Sequence, residues 1–180
     1  MSTRVHKVFV SYHHANDQTY RDKFEDILRG NGISVVRSVQ MGDIDPYLKT
    51  DTVRQKIRDE YLRDSTVTVV LIGTETWKRK HVDWEIGSSI RNTMYNPRSG
   101  LMGILLPTHP SYYKGAYEPG IIPPRLHDNV NCGYAKIYNW TTDPISLQSW
   151  IHDAFERRTK ETPNNSCPSF GKNHSGDRWC

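Results

Sequence analysis

The 180-residue sequence has no apolar run long enough to cross a bilayer, few cysteines, and none of the glycine-rich fingerprints that cradle phosphates. Each gap removes a class of protein. A membrane span needs ~20 consecutive apolar residues, so no membrane partner is expected. The opening MSTRVHKVFVSY returns to polar residues after a short apolar run. That is a first strand and not a signal peptide, and the expected location is cytoplasmic. The cysteines, Cys132, Cys167 and Cys180, are odd in number and fit no metal-ligand spacing, so reduced thiols are expected. His13-His14 has no partner histidine at metal spacing, and no metal is expected. GxGxxG, the Walker lysine loop and the GxSxG elbow are all missing, which argues against a dinucleotide-binding Rossmann domain, a P-loop enzyme and an α/β-hydrolase. A basic stripe is missing too. The net charge is +4, and the local basic groups, Lys78-Arg79-Lys80 and Arg157-Arg158, are short. No nucleic-acid partner is expected, although weak attraction for a small anion is compatible with the excess.

What is present is an alternation of short apolar runs with helical periodicity. Lys7 to Tyr12, Ile33 to Val36, Thr66 to Ile72, Leu101 to Leu106 and Tyr134 to Trp140 read as strands. TVTVVLI is apolar nearly throughout, so both its faces should be covered, as in a parallel sheet. Tyr20, Phe24, Ile27 and Leu28 share one helical face, with Asn16 or Asp17 as the cap and Gly30 or Gly32 as the stop. Val53, Ile57 and Tyr61 mark a second helix, and Val82, Ile86 and Ile90 a third. Asp143-Pro144 opens the last helix, with Leu147, Trp150, Ile151, Ala154 and Phe155 on its apolar face. Arg37 to Lys49 is a loop.

This order predicts an α/β fold, a flavodoxin-like doubly wound sheet of five parallel strands in the order 2-1-3-4-5. Residues 1–160 form the domain. The proline- and tyrosine-rich stretch Thr108 to Gly133 is a lid or an ordered insertion. The polar composition of 161–180 predicts a disordered tail whose removal leaves stability unchanged.

In such a sheet ligands bind at the switch point, outside the carboxyl ends of the first and third strands. Ser11 to Ala15 and Gly73 to Glu85 converge there. Glu85 sits at the edge of the Val82–Ile86 stripe, with Gly87 and Ser88 leaving room beside it. Two readings are open. It is the acid of a site, pointing into the crevice, or a surface carboxylate that steadies the first turn of its helix. Either way it is expected to be hydrated, so neutralising it should barely change stability.

Two segments carry a resemblance. FVSYHHAND, residues 9–17, resembles the opening box of TIR domains. TVTVVLIGTETWKRKHVDWEI, residues 66–86, is similar to the segment of bacterial TIR-like domains that holds their catalytic glutamate, in particular those of Thoeris antiphage systems. The matching pattern is Leu71-Ile72-Gly73, Thr74, Trp77, Lys78 and Arg79, then Val82-Asp83-Trp84-Glu85-Ile86. The resemblance covers roughly residues 5 to 155. The stretch from Gly42 to Lys49 departs from the loop of animal adaptor TIR domains, which argues against adaptor-style assembly.

The resemblance implies cleavage of the nicotinamide–ribose bond of NAD, as substrate and with no separate cofactor, by Glu85. The product is free ADP-ribose or an ADP-ribose-derived signal, cyclic or conjugated, that activates a separate effector protein. A homo-oligomer is compatible with this. Ser11 and His13 are candidates to contact ribose or phosphate. Trp77 stacks on a flat ring or simply packs. Asp43 closes over the substrate or is a plain turn acid. A non-catalytic interaction module and a nucleotide-binding sensor are the competing readings.

Overall fold

A computed structural model describes residues 6–36 and 49–179. Strand β1 (Lys7–Ser11) leads into α1 (His14–Gly30), then β2 (Ser34–Val36). Helix α2 (Thr50–Lys56) runs on into a π-helical turn (Ile57–Tyr61) and β3 (Val67–Ile72). A 3-10 turn (Thr76–Lys78) precedes α3 (Lys80–Ser89) and β4 (Gly100–Leu105). A second 3-10 turn (Pro119–Ile121) precedes α4 (Pro124–Asn131), β5 (Ala135–Asn139) and α5 (Pro144–Lys160). All pairings are parallel, and the spatial order is β2-β1-β3-β4-β5.

The pleat sorts the side chains. In β3, Val67, Val69 and Leu71 join the core under α1 and α5, while Val70 and Ile72 join the core under α3 and α4. Every residue of β3 is buried, as a strand covered on both faces should be. In β1, Val8 and Val10 face α1 and α5, whereas Phe9 packs with Val53, Ile57 and Leu62 on the other side. Ser11, two residues on, shares the face of Phe9. Helix α5 begins as its sequence predicts: the Asp143 carboxylate accepts from the backbone N–H groups of Ile145 and Ser146.

One open reading is decided and one expectation changes. Residues 108–133 are an ordered insertion. Both ring nitrogens of His109 are engaged, with Ile121 O at 3.1 Å and with the N–H of Ser111 at 3.0 Å. Beyond them Ile122 and Leu126 enter the core. Residues 162–179 are not a free tail either. Phe170 is buried, Asn164 and Asn129 exchange backbone-to-amide hydrogen bonds, and the Trp179 indole N–H reaches Pro119 O and Ile122 O at 2.8 Å. Composition fails here because the docking is made mostly by backbone and side-chain amides.

Among the described residues no helix is long and apolar enough to cross a membrane. Among them, too, no group of three or more His, Cys, Asp or Glu side chains is placed to hold a metal ion.

Candidate functional site

The carboxyl end of β1 and the second turn of α3 meet at one point. The Ser11 hydroxyl donates a hydrogen bond to Glu85 Oε2. The pleat aims Ser11 at α3, and the small residues Gly87, Ser88 and Ser89 let the helix lie close. Ser89 Oγ bonds Thr68 Oγ1 on β3 at 2.7 Å and also donates to Glu85 O at 2.7 Å.

Glu85 is 2% exposed, which corrects the expectation of a hydrated group at the crevice edge. Burial pushes its carboxyl up from the ordinary 4.5 to about 8, opposed in part by the Ser11 hydrogen bond. At neutral pH the resting acid is therefore largely protonated. The surface-carboxylate reading does not survive this placement.

Around the same strand ends lie further groups, among them Asp17, His14 and His81, that were not expected as site residues. The expected caps Asn16 and Asp17 fall inside the helix, because α1 starts at His14 with His13 as its N-cap. Asp17 instead turns inward. It is buried, and its Oδ2 accepts from Thr76 Oγ1 at 3.4 Å. A Cβ on Gly73 would lie 2.4 Å from that oxygen, so only glycine admits the carboxyl there. Burial raises Asp17 to about 6, against the Thr76 hydrogen bond.

His81 donates from Nε2 to Tyr12 O at 3.0 Å. A carbonyl only accepts, so Nε2 carries the proton, and the buried Nδ1 has no hydrogen-bond partner. Burial drops His81 to about 4, so the ring is neutral at pH 7. His14 stacks on Tyr12 and meets His81 edge-on. Burial also lowers His13 and His14, and the nearby Arg79 charge adds to it. Arg21, over the Tyr12 ring, lowers His14 as well, so these imidazoles favour the neutral form between two guanidinium groups and can donate hydrogen bonds or pack on a ring.

The structure thus joins Ser11 to Glu85 and places His13 at the end of the same strand, buried, with Nδ1 unpartnered. Trp77 is 2% exposed, with Lys78 over its ring and His174 beside it, so in this conformation it is a packing residue. Asp43 lies outside the described residues. The sequence signals for the missed residues were there: a His-His pair directly after a strand, and an acid four residues on. Two open grooves formed by described residues lie elsewhere. One of about 650 Å³ is bordered by Pro124, Phe170, His174 and Trp179, and one of about 400 Å³ by Asp59, Arg63, Tyr95 and Asn96.

The parallel α/β sheet with helices on both faces is the architecture expected of a TIR-like domain. Residues 9–111 match the family model of the TIR-like domain of the Thoeris protein ThsB. The match spans more than half of the chain, from Phe9 past Glu85, and the chain belongs to this family. No curated protein matches it.

Proposed function

We propose that the protein cleaves the nicotinamide–ribose bond of NAD with Glu85 as its carboxylate, producing an ADP-ribose-derived signal for a separate effector in antiphage defence. The observation that carries the reading is the Glu85 carboxyl itself, buried at the switch point with Ser11 as donor, inside the segment that matches the family.

The chemistry suits one acid. Nicotinamide leaves a cationic pyridinium as a neutral base, so no proton need be supplied to it. Positive charge develops on the ribose, as in glycosidases. A fixed carboxylate stabilises that charge best where water is excluded. Glu85 must first lose its proton, and the pyridinium charge of bound NAD favours the ionised form. Ser11 then holds the carboxylate in place. In this reading His13 contacts ribose or phosphate, and Asp43 is a substrate-binding acid. Binding is coupled to proton release and tightens as pH rises toward 8.

The test is mass spectrometry of NAD incubated with the protein. The proposal expects free nicotinamide in amounts matching the NAD lost, together with ADP-ribose or a derivative of it. Intact NAD recovered after incubation with cell extract from phage-infected culture as a trigger would count against it.

A further inference from the structure

The helix that carries Glu85 does not cap itself. The first N–H groups of any helix lack intrahelical partners, and Arg79, the N-cap of α3, offers no side-chain hydrogen bond. The missing acceptor comes from far along the chain. Asn173 Oδ1 accepts from the N–H of Lys80 at 2.8 Å. The next residue, His174, donates its own N–H to Lys78 O at 2.8 Å. The tail therefore hooks the turn before α3 through one acceptor and one donor.

The same segment runs antiparallel along the helix. Phe170 N–H donates to Asp83 Oδ2 at 3.0 Å, and the Trp84 indole donates to Phe170 O at 2.9 Å. The Asn165 amide donates to Gly87 O at 3.0 Å. Asp83 is held from its other side by Arg125, at 2.9 and 3.3 Å, and both partners are buried. These bonds fall on residues before and after Glu85. They hold the backbone from which its carboxyl reaches Ser11.

We propose that residues 164–174 are a positioning strap for α3, and that Asn173, by capping the helix, sets where the Glu85 carboxyl meets Ser11. The proposal rests on the reading of Glu85 as the reacting group. Misplacing a reacting group by about 1 Å can cost ~10²-fold in rate, so loosening the cap on α3 should be read in turnover. Asn173 itself is exposed, so its side chain can be changed without opening the core.

The test uses the full chain with Asn173→Ala, which removes the acceptor, and Asn173→Asp, which keeps an oxygen at the cap. Three quantities are read: the ¹³C titration of the Glu85 carboxyl, assigned with Glu85→Gln; hydrogen exchange of the α3 amides; and kcat and KM for NAD. Asn173→Ala is expected to speed exchange in the first turn of α3 and to move the Glu85 midpoint toward the ordinary carboxylate range. It should also lower kcat about tenfold with little change in KM, and Asn173→Asp should restore all three. An unchanged Glu85 titration in Asn173→Ala, or failure of Asn173→Asp to recover it, overturns the strap whatever turnover does. If the titration moves and recovers while wild type leaves NAD intact, the strap stands and the NAD reading falls. Should Asn173→Ala not fold, Asn165→Ala is read the same way at the other end of the strap.

Discussion

Ser11 and Glu85 are 74 residues apart in the chain, and their side chains share one buried hydrogen bond. Ser11 is fully buried and Glu85 nearly so. An acid in that position is both a candidate for catalysis and a load on the fold, and the two roles make separate, measurable demands.

The load appears as a pH dependence. The folded-state value of Glu85, about 8, lies above its ordinary 4.5. Between those values the folded protein holds a proton that the unfolded chain has lost. The stabilising effect is complete below 4.5 and is lost as pH rises through about 8. Glu85→Gln has no such proton. Its stability relative to wild type should climb across this window, with a slope approaching roughly 1.4 kcal/mol per pH unit. Urea unfolding of both proteins at pH 5, 6.5 and 8 measures it, and parallel stability curves would show that Glu85 is not buried in the folded state.

Ser11→Ala removes the donor that favours the ionised acid. The midpoint of Glu85 should rise by about one further unit. If the ionised form is the active one, the acidic limb of kcat/KM moves to higher pH by the same amount. A pH–rate profile checks this; an unmoved limb separates Ser11 from the ionisation of Glu85.

Removing residues 162–180 should destabilise the protein, against the expectation from composition. Phe170 loses its burial, worth about 1.5–3 kcal/mol, and Asp83, Asn129 and Arg125 lose partners. For a domain of this size ~2 kcal/mol corresponds to a Tm drop of about 4–8 °C. Calorimetry of the shortened chain checks it, and an unchanged Tm would mean that the tail does not dock.

Gly73→Ala drives a Cβ against the Asp17 carboxyl. The expected cost is about 1–3 kcal/mol, and Asp17→Ala in the same chain should recover much of it. A double-mutant cycle by urea unfolding reads the coupling. Simple additivity would mean that the two sites do not touch.

How far the sequence reached follows from the kind of signal each element carries. Strand β3 was legible because VTVVLI is apolar without alternation and short. Helix α5 was legible from Asp143-Pro144. Helix α4 was not: its eight residues begin at Pro124 within a proline- and tyrosine-rich stretch, and too few turns follow to show a period. The tail was hidden because it docks through asparagine amides and backbone, with Phe170 the only buried side chain among its described residues. Glu85 was found from its neighbours and its family context, but its depth was not. Periodicity locates the Val82–Ile86 stripe, whereas α3 is buried on nearly every side, including His81, Asp83, Ser88 and Ser89. Tertiary packing decides that.

The most direct test of the central claim is the turnover of NAD by wild type and by Glu85→Gln, each shown to be folded. Glu85→Gln keeps the shape and the hydrogen-bonding capacity of the side chain and removes its charge. If the carboxylate stabilises the developing ribose cation, kcat falls by about 10² or more, while NAD affinity changes far less. Equal turnover by the two folded proteins would contradict the account and remove Glu85 from the mechanism.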